Sequence, residues 1–237
     1  MSDRSSPAST GPASTGRARL AWLLAGLVAT VVAILGTGTG LWFATAFHAY
    51  THTQTQITRY PGKPADLTVN LTSGTIAIIS GPAGQVTVTR TLTWTNGRPV
   101  IDEHWDNGVL NIQQHCPAGP LDQTCSVSYQ IAVPPGVPLS LLSGDGDVTV
   151  TRSMSQDVQA RSGSGNIMLD FATAPSSVRA QTGSGNVTIL VPPGGRYAVK
   201  PSTESGNQAV DVSQDPAAPR TITASSADGN IDVLYGP

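Results

Sequence analysis

Charge is scarce in this 237-residue sequence: 12% of residues are Asp, Glu, Lys or Arg, with a net charge of −2. Aromatics are scarce too, at 5%, and there are two cysteines. Without a run of Lys or Arg, and with a pI near 6.0, the chain is not read as a nucleic-acid binder. After His115 there is no histidine, and Lys200 is the one lysine of the repeat region. No nucleophile elbow, phosphate loop or zinc-binding helix appears. An active site needs clustered acid, base and cation, so no catalytic residue, cofactor or metal is expected and the chain is read as a non-enzyme.

Glycine (25) and proline (18) are abundant. After residue 60, Thr, Ser, Val and Gly dominate, as suits an all-β chain with many turns. One pattern recurs: LSLLSGDGDVTV at 139–150, VQARSGSGNIML at 158–169, VRAQTGSGNVTI at 178–189 and ITASSADGNIDV at 222–233. A degraded copy occupies 199–210 and a distant one 67–78. The shared glycines Gly146, Gly165, Gly185, Gly206 and Gly229 are 19, 20, 21 and 23 positions apart. A period near 20 marks one supersecondary unit stacked on its own copies. Apolar pairs at period two precede and follow each turn, so each unit is two short strands with one inward face. The turn residues are Gly144, Gly146, Gly163, Gly165, Asn166, Gly183, Gly185, Asn186, Gly206, Asn207, Gly229 and Asn230. Glycine supplies positive φ and Asn tolerates it. The asparagines are expected to form a turn ladder. The fold expected is a β-solenoid, with a sandwich-like roll as the alternative. An antiparallel meander should precede the repeats, with Asn96-Gly97 as a hairpin turn and Trp94 and Trp105 covering one end of the core.

Ahead of the β region, residues 1–19 read as a disordered cytoplasmic tail. Residues 20–47 carry no charge and exceed the roughly 20 residues that span a bilayer; Trp22 and Trp42 sit where two interfacial belts would lie. Arg4, Arg17 and Arg19 place the N-terminus inside and the rest outside the cell membrane by the positive-inside rule. Ala44-Thr-Ala46 resembles a cleavage site, but the apolar stretch is too long for a signal peptide, so a retained single-pass anchor is expected. Gly36 and Gly40 form a G-x-x-x-G that would permit self-association of helices. Residues 48–66 read as a spacer and 67–237 as the extracytoplasmic domain.

Four site readings compete with plain architecture. Cys116 and Cys125, nine positions apart, read as a disulfide in an exported domain; the alternative is a zinc site with His104 and His115, whose spacing fits no common motif. His48 and His52 at i, i+4 would face one another only on a helix. Asp145, Asp147, Asp228 and Asp232 could line a calcium ladder, although the period is not that of calcium-binding nonapeptides. Asn70-Leu-Thr72 and Asn186-Val-Thr188 match the glycosylation sequon.

SVSYQIAVPPGVPLSLLSGDGDVTV, followed by RSGSGNI, QTGSGNV and ADGNIDV, resembles the bacterial family of unknown function called "putative adhesin". The resemblance spans roughly residues 67–236. It implies a membrane-anchored adhesion or scaffold domain that meets an unidentified cell-surface or envelope partner, and it brings no catalytic motif. A sensory ectodomain of an envelope signalling system is the alternative function.

Overall fold

The computed structural model describes residues 51–106, 108–117 and 124–236. The expected tail, the expected membrane helix with Gly36 and Gly40, and His48 lie outside the described residues. Among the described residues no helix is long and apolar enough to cross a membrane.

Every regular element described is a β-strand. The repeats give five pairs: β8 (Leu139–Asp145) with β9 (Val148–Ser153), β10 (Asp157–Ser164) with β11 (Ile167–Phe171), β12 (Ser177–Ser184) with β13 (Val187–Val191), β14 (Ala198–Ser205) with β15 (Gln208–Asp211), and β16 (Thr221–Asp228) with β17 (Ile231–Tyr235). Upstream, β2 (Asp66–Ser73) and β3 (Ile76–Ser80) make another such pair, as do β6 (Val109–His115) and β7 (Cys125–Val133). Each pair is one coil: its two strands enter two different sheets, and successive coils pair in parallel. The alternatives of solenoid and sandwich therefore meet in one architecture, a stack of flattened coils whose strands line two sheets.

The reason lies in the alternation. Leu139, Leu141, Val158, Ala160, Val178, Ala180, Ile222 and Ala224 are buried on one sheet, and Val148, Val150, Ile167, Leu169, Val187, Ile189, Ile231 and Val233 on the other. Together they form a single core cluster. Burial of a Val, Leu or Ile contributes about 1.5–3 kcal/mol. A lone coil cannot bury its inward face, so only stacking realises that gain.

The coils are not stacked in chain order. The first sheet runs β1-β4-β7-β3-β9-β11-β13-β17-β15 and the second β14-β16-β12-β10-β8-β2-β6-β5. The C-terminal coil β16–β17 thus inserts between β12–β13 and β14–β15. At the other end, β2–β3 inserts between β6–β7 and β8–β9. The degraded copy is degraded because it is the end of the stack. Where β16 has Ala224 inward, β14 has Pro201, and where β17 has Ile231 inward, β15 has Gln208. Pro201 lacks an N–H to offer on a free edge, which guards the edge against further pairing.

Three expectations change at the N-terminal end. The stretch read as a spacer contains β1 (His52–Pro61), antiparallel to β4 (Gln85–Trp94). Its Thr/Gln alternation carries little apolar contrast, so no inward face was visible in the sequence. Asn96-Gly97 is no hairpin turn: β4 and β5 (Val100–Asp106) lie in different sheets. A turn signal reports a change of direction and not which strands pair. Nor is residues 67–133 a plain antiparallel meander. The ladders β1–β4, β4–β7 and β5–β6 are antiparallel, but β2 and β3 pair in parallel on both flanks. Trp94 and Trp105 pack against this end of the core, Trp105 stacked on Tyr60 with centroids 5.8 Å apart.

Candidate functional site

The edge where each coil passes from the second sheet to the first carries the repeat motif. In spatial order the column is Gly74, Gly146, Gly165, Gly185, Gly229, Gly206. A Cβ placed on Gly185 would lie 2.3 Å from the Gly165 carbonyl oxygen, and one on Gly229 2.0 Å from that of Gly185. Gly185 and Gly229 have φ of +148° and +153°, so both space and backbone demand glycine. The other motif glycine differs. Gly163 and Gly183 do not have positive φ; they are glycine because a Cβ would come within 2.5 and 2.6 Å of the preceding coil's carbonyl oxygen.

Two side-chain ladders run beside the column. Ser143, Ser162, Thr182, Ser226 and Thr203 each donate a hydroxyl to the glycine carbonyl of the next coil, at 2.8–2.9 Å. Outside it, the Asn166 N–H donates to Asp147 Oδ1 (2.7 Å), Asn186 to Asn166 (2.9 Å), Asn230 to Asn186 (2.8 Å) and Asn207 to Asn230 (2.9 Å). These ladders satisfy turn groups that would otherwise be stranded inside the stack. Thr182→Val, nearly isosteric, should therefore lose about 1–3 kcal/mol, because the Gly165 carbonyl is left without its partner. Ser184→Ala, at an exposed position two residues on, should change stability by less than about 0.5 kcal/mol. Urea unfolding of both variants measures the difference.

The four aspartates proposed for calcium do not converge. Asp145 and Asp228 share one row but are separated by Ser164 and Ser184, about 14 Å at the usual strand spacing. Asp147 is engaged by Asn166, and Asp232 pairs across from Thr188. Among the described residues no three His, Cys, Asp or Glu side chains gather as a metal site. Of the sequon residues, Asn70 points out from β2 and Asn186 is a rung of the asparagine ladder.

Cys116 and Cys125 form a disulfide, with Cα atoms 5.9 Å apart. It closes the turn of the β6–β7 coil, the position held elsewhere by the glycine motif, and leaves no thiolate for zinc. His104 instead meets Asp102 at 2.6 Å on the surface. His52 is on a strand and stacks on Trp94, with centroids 5.4 Å apart. Cys116→Ser with Cys125→Ser should cost about 2–3 kcal/mol by the loop-entropy relation, read as a lower urea midpoint that dithiothreitol does not lower further.

One cluster went unread in the sequence. Arg90 and Glu103 form an ion pair inside the N-terminal end, linking β4 of the first sheet to β5 of the second. Tyr60 donates to Glu103 at 2.8 Å and Tyr129 at 3.4 Å, while Arg90 also donates to Gln56. Burial, and then Glu103, hold the Tyr60 and Tyr129 phenols well above the usual range. The signal was the place of Arg90 in the inward series Val86, Val88, Arg90, Leu92. The cluster braces the two sheets.

The outer faces of the sheets remain. On the second sheet, register aligns Ser202, Ser225, Gln181, Arg161 and Leu142 in one row across five strands. Lys200, Thr223, Arg179, Gln159 and Ser140 form the adjacent row. On the first sheet, Asp170, Asp211 and Asp232 lie on the outward side of the repeats.

Residues 138–234 match the family described as Toastrack DUF4097. A crystal structure of a putative cell adhesion protein from Clostridium sporogenes has the same fold, with a TM-score of 0.56 at 14% identity, covering 79% of this chain and 100% of that one. More distant is a putative adhesin from Bacteroides fragilis, with a TM-score of 0.34 at 10% identity over 76% of this chain and 97% of that one. A putative lipid binding protein from Parabacteroides distasonis, at 8% identity and a TM-score of 0.28, covers 76% of this chain and 97% of its own. No curated protein sequence matches the chain.

Proposed function

We propose that this protein is a single-pass, membrane-anchored binding or adhesion module without catalysis, whose β-repeat domain stands outside the cell. The observation that carries the reading is where the repeat residues are spent. Glycine carbonyls and the hydroxyl and asparagine side chains of the turns bond to neighbouring coils. That leaves a rigid stack with two broad, largely polar outer faces. Such a body suits presentation of a surface to a partner. The uncharged segment 20–47, with Arg4, Arg17 and Arg19 on its N-terminal side and Arg59 as the first basic residue beyond it, supports the anchor and its orientation.

The test uses the full chain with an N-terminal tag, expressed in bacterial cells. The tag should remain in the membrane fraction, the repeat domain should be cleaved by protease added to intact cells, and the cells should capture envelope material. Replacing residues 1–19 by an unrelated basic sequence should leave capture intact. Release of the tag would refute the anchor, and loss of capture on tail replacement would refute a passive binding module.

A further inference from the structure

We propose that the outer face of the second sheet is the binding surface, and that it takes a linear polysaccharide bearing carboxylates, laid across the strands along the axis of the stack. This rests on the surface-binding reading above and gives it a ligand class.

Four observations converge. A shallow groove of about 490 Å³ crosses this face, lined by Leu142, Arg161, Gln181, Ser225, Ser202 and Glu204. Its side chains come from neighbouring strands in one row, so contacts repeat every 4.7–4.9 Å or so along it. A polymer can meet that repeat with one unit after another, whereas a small molecule would be enclosed on one side only. Secondly, the two rows are basic although the protein is not, since they carry three cations and no carboxylate. Arg161, Arg179 and Lys200 are all exposed on β10, β12 and β14, and among the described residues none is in an ion pair. Glu204 lines the groove at the terminal coil, while Asp66 and Asp157 at the strand starts and Asp102 and Asp106 on β5 lie on the same sheet outside the two rows. Thirdly, the groove is rich in hydroxyl and amide groups, which match sugar hydroxyls, and guanidinium forks match carboxylates. Leu142, 41% exposed, offers an apolar contact to a ring face. Finally, these two rows contain no aromatic side chain, which removes the stacking platform that single-stranded nucleic acid uses.

Full-length protein in detergent micelles is titrated with polygalacturonate, with neutral dextran and with monomeric galacturonate. Polygalacturonate should bind, and should weaken at least about tenfold between roughly 50 and 200 mM salt. Dextran and the monomer should bind at least about tenfold more weakly. The triple variant Arg161→Gln, Arg179→Gln, Lys200→Gln should lose at least about tenfold in affinity with an unchanged melting temperature, since all three side chains are on the surface. Arg59→Gln, on the first sheet, should bind as the parent does. Unaltered affinity in the triple variant, or dextran binding equal to polygalacturonate, overturns the proposal. So does low-salt self-association abolished equally by the triple variant and by Asp170→Asn with Asp232→Asn, which would give the face to a second copy of the chain. If the triple variant still captures envelope material on whole cells, the groove assignment fails while the surface-binding reading stands.

Discussion

Gly185→Ala is expected to prevent the native stack from forming. The added methyl group would sit 2.3 Å from the Gly165 carbonyl oxygen, at a residue whose φ is +148°. The obstacle is backbone of the next coil, which is fixed by its own ladders and cannot swing aside as a flexible side chain would. Left-handed backbone alone costs an alanine about 1–2 kcal/mol. The steric conflict adds more, so the loss should exceed about 4 kcal/mol, the range reserved for specific structural failures. A domain whose whole stability is about 5–15 kcal/mol has little left after that. Gly194→Ala is the matched comparison: its φ is +87° but nothing lies within 4 Å of the new methyl group. It should lose only the backbone share, about 1–2 kcal/mol. Urea unfolding followed by far-ultraviolet circular dichroism separates the two; equal losses would mean that the column is not a close-packed device.

The second large effect concerns coil order. Removing residues 221–236 deletes β16 and β17, the sole ladder partners of β14 and β15. It also bares Val178, Ala180, Val187 and Ile189, all essentially fully buried. The truncated chain should aggregate or melt at least about 10 °C lower, in line with a loss of several kcal/mol. Replacing residues 198–219 by a short Gly/Ser linker deletes the end coil instead. That coil contributes buried Ala198 and Val212 and partly buried Val199 and Val210, against the four essentially fully buried residues that the first deletion bares, so the shortened chain should keep a cooperative transition. Sequential stacking predicts the reverse ranking, because the C-terminal coil would then be the dispensable end. Thermal unfolding of the two deletions decides between them.

Coil, turn and core were legible because one physical constraint repeats with the chain. Each Gly-Asn turn meets the same turn above and below, so each copy had to keep the same residues, and the apolar pairs around it named the inward faces. Coil order went unread, since β14 and β16 run into the same Gly-Asn motif and the turn alone does not say which takes the inner slot. The trace was there in Pro201 and Gln208, residues a coil can carry inward only where no further coil covers it. β1 escaped notice because Thr and Gln on both faces give no contrast to read. The disulfide was read from cysteine count and context, whereas its place as a substitute for a glycine turn needed the β6–β7 pairing. The groove of the second sheet was only half legible. Leu142, Arg161, Gln181, Ser202 and Ser225 hold the same position in each repeat copy, but only the inserted order of the coils says which of them are neighbours.

That order is open to a direct chemical measurement. Gln181 faces Ser225 in register on the adjacent strand, and Ser225 in turn faces Ser202. Cysteines at 181 and 225 would stand one strand spacing apart, about 4.8 Å, within the Cα separation a disulfide accepts. Cysteines at 181 and 202 would stand about twice that apart, beyond the limit of roughly 7 Å. Mild oxidation of the full chain followed by non-reducing mass spectrometry should therefore bridge Gln181→Cys to Ser225→Cys and leave Gln181→Cys with Ser202→Cys as free thiols. A bridge between 181 and 202, with none between 181 and 225, would contradict the inserted C-terminal coil and the row of side chains built on it.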